Sequence, residues 1–388
     1  MDHRGMLTQT VVVFLSNDVT DEERLLTHNV LSDRGFEVFA DRPLGRLERD
    51  LKPNGITQDG HLLIAYNPLI SNDGLRNTAL FPQFEVEKAA HLLASVIPEA
   101  KHRLRVTQDA TLANEFIHRL LDESEIAELS AAIATSQAEM SSDLTVLKDL
   151  SRYKFRAKVE LVRWQDGVAI QKTFRASARD AMARELQFHD EIAPLSPVPV
   201  RVLDRSGNAI VYEYIDDSFK DRRVFGSRLF SLLNLANTRA LADFVRLVLE
   251  NGWDPIDLTP GGNILIDRSS GELRAIDFEF AHRRDRAIGV DEAYFLKGVP
   301  PDADFAHPLN NDGTVDPYER RWRRFTGLSL ASFLEDPAWL QRIKRVFVHP
   351  FWLVGYVVRE VRQRTTSSKA RDEALRSVVW RRLPASGK

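Results

Sequence analysis

The chain has 388 residues, of which 43% are hydrophobic and 28% charged, with a formal net charge of −3 and no cysteine. This composition excludes wholesale disorder and fibrous repeats, and the missing cysteine excludes disulfide scaffolds, thiolate metal sites, iron–sulfur clusters and a thiol nucleophile. The length suits two domains with cores of their own, and the chemistry left open is that of carboxylates, lysine and hydroxyls.

The apolar run near the N-terminus is too short for a signal-peptide core, and no segment approaches the roughly 18 uninterrupted apolar residues of a membrane span. A cytoplasmic protein is therefore expected. Charge is uneven along the chain. Residues 317–388 carry 16 Lys/Arg against 6 Asp/Glu, a balance of +10 that leaves −13 to residues 1–316. The acidic body argues against nucleic acid as a general partner. Solvated helix faces account most simply for the basic tail; peripheral contact with an anionic membrane face, a phosphorylated substrate or an acidic partner also fit it.

In chain order, Val11-Val12-Val13-Phe14-Leu15 reads as a buried strand. Thr20 and Glu23 form a capping-box pattern that starts a helix near Asp21 and ends it before Gly35. Strands are expected over 36–39 and 61–66, and a helix from about Gln83 to Val96, closed by Pro98. Residues 1–105 thus read as a small α/β module of unassigned role, with no Gly-x-Gly-x-x-Gly or Walker loop after its first strand. Residues 106–150 read as a helical connector. Beyond Lys154 the period changes to two: Ala157, Val159 and Leu161 alternate with charged residues, and Val168 to Phe174 returns after a turn at 165–167. A helix over 178–192, a second hairpin over 200–215 and a helix over 238–250 follow, the last with Leu241, Phe244, Val245 and Val248 on one stripe and Gly252 beyond its end.

Three observations carry chemistry. Lys172 interrupts the apolar face formed by Val168, Ile170 and Phe174. Glu185 falls on the apolar stripe of its helix with Ala181, Phe188 and Ile192. A carboxylate and an ammonium that both face a core solve each other's desolvation problem by pairing. Third, Asp257, Asn263 and Asp277 lie at the ends of two adjacent short strands, a set of oxygen donors that suits Mg2+ plus substrate phosphates. Taken singly, Asp257 and Asn263 could serve only as turn caps.

The order strand-Lys172, helix-Glu185, hairpin, helix, Asp257-Leu258-Thr259-Pro260 to Asn263-Ile264-Leu265-Ile266-Asp267, then Ile276-Asp277-Phe278-Glu279 resembles the protein-kinase-like superfamily. Within it, the segment is most similar to aminoglycoside- and choline-kinase-type phosphotransferases, over roughly residues 150–300. The resemblance implies an α+β, bilobal protein-kinase-like fold, with a small β-rich N-lobe over 151–216 and a helical C-lobe over 217–388, preceded by the α/β plus helical module. It implies that Lys172 holds the α/β-phosphates of ATP, positioned by Glu185, and that Asp257 orients or deprotonates the acceptor hydroxyl. Asn263 and Asp277 would bind Mg2+. Ile170 would touch the adenine, the backbone at Glu213 and Ile215 would read its edge, and Asp291 would support the catalytic loop.

Three departures accompany the resemblance. Pro255 stands where a histidine is usual, the Asp257-to-Asn263 spacing is one residue longer than usual, and residues 148–156 contain no glycine for a phosphate loop. Ser151, Arg152 and Lys154 could meet phosphates there instead. The C-terminal third says less. Phe347 to Val361 reads as a core helix of the C-lobe rather than an interfacial membrane helix, Trp322 as a packed residue among solvated arginines, and 310–313 as a turn. The expected activity is ATP-dependent phosphorylation of a hydroxyl on a small molecule or a glycan. The competing class is a pseudokinase-like regulator that binds nucleotide or partners without catalysis.

Overall fold

The computed structural model describes residues 9–44, 59–68, 81–107, 109–151, 156–221, 231–300, 316–359, 361–362 and 379–380. Arg152, Lys154 and the turn at 310–313 lie outside them, as does most of the basic tail beyond residue 362. The fold is mixed α+β, and it divides into two compact units.

The first unit holds β1 (Thr10–Ser16), α1 (Asp21–Asp33), β2 (Glu37–Pro43), β3 (Gly60–Tyr66), α2 (Phe81–Val96), α3 (Ala100–Arg103), β4 (Leu104–Thr107), α4 (Ala110–Leu120) and α5 (Glu123–Glu139). Strands β4, β1, β3 and β2 are neighbours in that order, and each adjacent pair is antiparallel. Alternation explains the uninterrupted run in β1. Val11, Val13 and Leu15 pack with Val30 and Leu31 of α1 and Ala89, Ala90 and Leu93 of α2. Val12 and Phe14 point the other way, onto Ala113, Phe116 and Ile117 of α4 and Leu129 and Ile133 of α5. Both faces of the sheet are covered, so no polar alternation survives. Residues 110–139 are therefore the second helical cover of this sheet, not the connector expected for 106–150: amphipathic spacing announces a buried face without saying what buries it.

Thr20 caps α1 as anticipated, accepting from Glu23 N at 3.2 Å while Glu23 accepts from Thr20 N at 2.8 Å. Gly60 pairs with Ser16, and a Cβ there would lie 1.9 Å from the Leu15 carbonyl oxygen. Gly60→Ala is expected to cost this unit about 3 kcal/mol, read as a lower urea midpoint; an unchanged midpoint would contradict the register.

The second unit begins with the exposed β5 (Val146–Asp149) and continues through β6 (Ala157–Trp164), β7 (Gly167–Phe174), α6 (Arg179–Ile192), β8 (Val202–Ser206) and β9 (Ala209–Glu213). These strands form a five-stranded sheet in the order β5-β6-β7-β9-β8, with β7 central. Next come α7 (Ser218–Asp221), α8 (Leu235–Glu250), β10 (Trp253–Pro255), β11 (Ile264–Ile266), β12 (Leu273–Ala275), β13 (Ala281–Arg283) and α9 (Tyr294–Lys297). The helix expected at Thr238 starts three residues earlier, because Asn234 caps it by accepting from Asn237 N at 2.7 Å. Two ribbons, β10 with β13 and β11 with β12, position the loops of the candidate site.

A π-helical turn (Tyr318–Trp322), α10 (Arg323–Thr326), α11 (Leu330–Glu335), α12 (Ala338–Phe347) and a helix over residues 349–359 complete this unit. Leu241, Phe244, Val245 and Val248 of α8 share its core with Trp253, Phe278 and the fully buried Trp322. Arg323 beside that tryptophan is not solvated: it pairs with Glu319 at 2.9 Å and lies over the Trp352 ring. The helix over 349–359 corrects the core reading of 347–361. It buries His349, Leu353 and Tyr356 but leaves Phe351, Val354 and Val358 exposed. The last described strand, β14 (Val379–Trp380), lies parallel to β4 in the first sheet, so these two residues belong to the first unit rather than to the C-lobe expected over 217–388.

Candidate active site

Lys172 sits on the central strand β7, and its ammonium reaches α6. Nζ donates to Glu185 Oε2 at 2.7 Å, and the Phe174 ring centroid lies 4.9 Å away. Ala181, Phe188 and Ile192 are buried on the same helix face as Glu185. The second oxygen of Glu185 accepts from the Tyr212 hydroxyl at 2.8 Å, so both are used. Strand register delivers that hydroxyl: Tyr212 of β9 stands opposite Ile170 of β7.

The same ammonium donates to Asp277 Oδ1 at 2.6 Å and lies 3.1 Å from Glu279 Oε2. One lysine thus gathers three carboxylates from segments about a hundred residues apart. Burial alone would pull the Lys172 ammonium down; Asp277, Glu185 and Glu279 together hold it well above its ordinary value. Burial raises the Glu185 carboxyl, with Lys172 opposing.

Asp277 follows β12 with a φ of 71°, a left-handed conformation that an Asp adopts at a cost of about 1–2 kcal/mol. Next to it, Phe278 stacks on Phe188 of α6, centroids 4.0 Å apart, which pins the turn that carries the strain. The neighbouring loop is bolted down by Asp254. This fully buried carboxylate accepts from the backbone N–H of Tyr294 at 2.7 Å and of Phe295 at 3.2 Å, and burial pushes it up to about 6. Asn263, just before β11, donates from Nδ2 to the Asp257 carbonyl at 3.1 Å and to its Oδ2 at 3.3 Å.

Asp257 itself is left in deficit. Its Oδ1 is buried and has no hydrogen-bond partner among the described residues. Burial, Asp277 and Glu279 push its carboxyl well above the usual carboxylate range, with Lys172 opposing. An orphaned carboxylate oxygen of this kind costs folding about 1–3 kcal/mol.

Lys172 is thus joined directly to Glu185 and Asp277, and Asn263 to Asp257; the Asn263 carbonyl accepts from Ile276 N at 2.9 Å, beside Asp277. Ile170 is half-buried, two residues along β7 from Lys172. Glu213 ends β9; its carboxylate accepts from Arg201 N at 2.9 Å and from Arg201 Nε at 3.0 Å, and its own N–H donates to Arg201 O. Ile215 is half-buried beyond the strand. Asp291 does not support the loop: its exposed carboxylate pairs with Lys297 at 3.0 Å, and Asp254 performs that task.

Glu185, Asp277 and Glu279 present oxygens within 4.8 Å of one another, a spacing able to hold a metal. The Lys172 ammonium already bonds all three, and Glu185 is spent on Lys172 and Tyr212. Asp277, whose side chain is 39% exposed, and Asn263 are the better-placed oxygen donors for a cation, with the orphaned Asp257 oxygen beside Asn263.

Sequence reasoning missed Glu279, Tyr212 and Asp254. Glu279 was visible two residues from Asp277, whereas Tyr212 needs the strand register and Asp254 needs the fold of α9. Behind Glu185, His189 is buried against Phe188, Tyr212 and Phe278 with neither ring nitrogen bonded among the described residues. Burial, then Arg205 and Lys172, lower it to about 4, with Asp190 opposing. The unfolded chain therefore binds the extra proton between about pH 6.5 and 4, and about 3 kcal/mol of stability is lost as pH falls through that window. His189→Leu is expected to flatten the acid side of the stability profile and leave the protein no less stable at pH 7; an unchanged acid slope in denaturant melts would contradict this.

No family model matches the chain, and no curated protein matches it.

Proposed function

We propose that the second unit is a phosphotransferase with a bilobal protein-kinase-like arrangement, moving the γ-phosphate of ATP to a hydroxyl of a small molecule or a glycan. The observation that carries this reading is the Lys172 ammonium bridging Glu185 and Asp277 at 2.7 and 2.6 Å, together with a half-buried Asp257 whose Oδ1 is buried without a hydrogen-bond partner among the described residues. Glu185, itself held by Tyr212, fixes where the ammonium points, and Lys172 then offers its charge to the phosphates of ATP. Ile170 and the chain at Glu213 and Ile215 would take the adenine.

Asp277 and Asn263 would hold Mg2+, which when bound neutralises charge on the phosphates. The residues fit such an ion: an exposed carboxylate and an amide offer hard oxygens, and the cluster around Lys172 carries more carboxylates than its single ammonium balances. In the transfer, the acceptor oxygen bonds to the γ-phosphorus, the bond from that phosphorus to the β,γ-bridging oxygen breaks, ADP leaves, and the hydroxyl proton passes to Asp257. Its raised affinity for a proton suits that role.

The competing reading, a regulator that binds nucleotide without catalysis, gains nothing from an orphaned base. ATP consumption over a panel of alcohols and sugars, with phosphate traced into the acceptor, separates the two. Nucleotide binding with no transfer to any acceptor would leave only the regulator.

A further inference from the structure

Helix α12 and the helix over residues 349–359 follow one another through Val348, whose N–H donates to Lys344 O at 2.8 Å while its own carbonyl accepts from Trp352 N at 3.2 Å. Their inner side is covered: Gln341, His349, Leu353 and Tyr356 are buried, and Gln341 Nε2 donates to the Ser332 and Phe333 carbonyls. The outer side is not. Trp339, Ile343, Phe347, Phe351, Val354 and Val358 succeed one another at steps of three and four, the spacing of a single helical stripe, and are 45–82% exposed. Scattered apolar side chains on a surface need no explanation, but a continuous stripe of aromatic and β-branched residues marks a docking face.

Charge selects the occupant. Residues 338–359 contain four Lys/Arg and no Asp or Glu. Lys344 is held by Asp336 at 2.8 Å and Arg345 donates to the Leu233 carbonyl, so Arg342 and Arg359 are the exposed cations flanking the stripe. A second copy would bring like charges edge to edge. The polar stretch 363–378 offers only Leu375 and Val378 as large apolar side chains, too few to cover the face. A bilayer with anionic headgroups answers both features, taking the apolar stripe at the acyl boundary and the arginines at the phosphates.

We propose that this stripe is a peripheral docking surface for an anionic lipid bilayer, with the two helices lying in the plane of the interface. The test is co-sedimentation of the full chain with phosphatidylcholine vesicles, with and without about 30 mol% phosphatidylglycerol. Binding is expected to the anionic vesicles, to weaken with salt, and to fall at least about tenfold in Phe351→Ser/Val354→Ser. Both positions are exposed, so this variant should keep the wild-type melting temperature; Arg342→Gln/Arg359→Gln should lose the preference for anionic lipid. No binding to the anionic vesicles, or equal binding by the serine variant, would overturn the proposal. So would a concentration-dependent dimer that the serine variant abolishes, since a second copy would then be the occupant.

Discussion

Asp257→Asn is expected to lower phosphotransfer on the order of a thousandfold and, at the same time, to stabilise the protein. The two effects share one cause. Oδ1 is buried without a partner among the described residues, and burial, Asp277 and Glu279 press the carboxyl toward protonation. An asparagine can keep its carbonyl toward Asn263 and turn its amide N–H toward the acidic side, removing the charge burden and the ability to accept a proton together. A gain of about 1–2 kcal/mol is expected, in keeping with the trade between stability and activity at working sites. Thermal melts and ATP turnover on the same preparation check it. A variant that is both inactive and destabilised would make Asp257 a structural residue, and an active variant would remove it from the chemistry.

Lys172→Met is expected to cost the fold about 3–5 kcal/mol, because it strips the shared counter-ion from Glu185, Asp277 and Glu279. The cost should depend on pH. Without the ammonium, burial raises the Glu185 carboxyl with its main opposing charge gone, so stability is retained where it is protonated and lost as pH rises through the elevated range. The deficit relative to wild type should therefore be smaller at pH 5 than at pH 8. Glu185→Gln is expected to cost only about 1–2 kcal/mol, since Lys172 keeps Asp277 and Glu279 and the amide can still accept from Tyr212. Denaturant melts of both variants at the two pH values decide it. Equal costs, or a Lys172→Met deficit that does not change with pH, would show that the cluster is not organised around the lysine.

The Lys172–Glu185 pair was legible because each charge breaks an apolar period that is itself unambiguous, two on β7 and 3.6 on α6. The grouping of Asp257, Asn263 and Asp277 was legible from strand–turn–strand spacing over twenty residues. What escaped depends on long-range register. Nothing local says that Tyr212 faces Ile170, that Asp254 caps the backbone of α9, or that β14 returns to pair with β4. Residues 110–139 and 347–359 failed for a common reason: apolar content announces burial but not the surface that provides it. In the first stretch that surface was a sheet, and in the second only one of two apolar faces is covered among the described residues.

Calorimetric titration of a non-hydrolysable ATP analogue, with and without Mg2+, into wild type and Asp277→Asn tests the proposed nucleotide site most directly. The account predicts binding to wild type that depends on Mg2+ and is lost, or loses that dependence, in the variant, while both proteins melt cooperatively. Folded wild type that takes no nucleotide, or binding that is indifferent to both Mg2+ and Asp277, would contradict it.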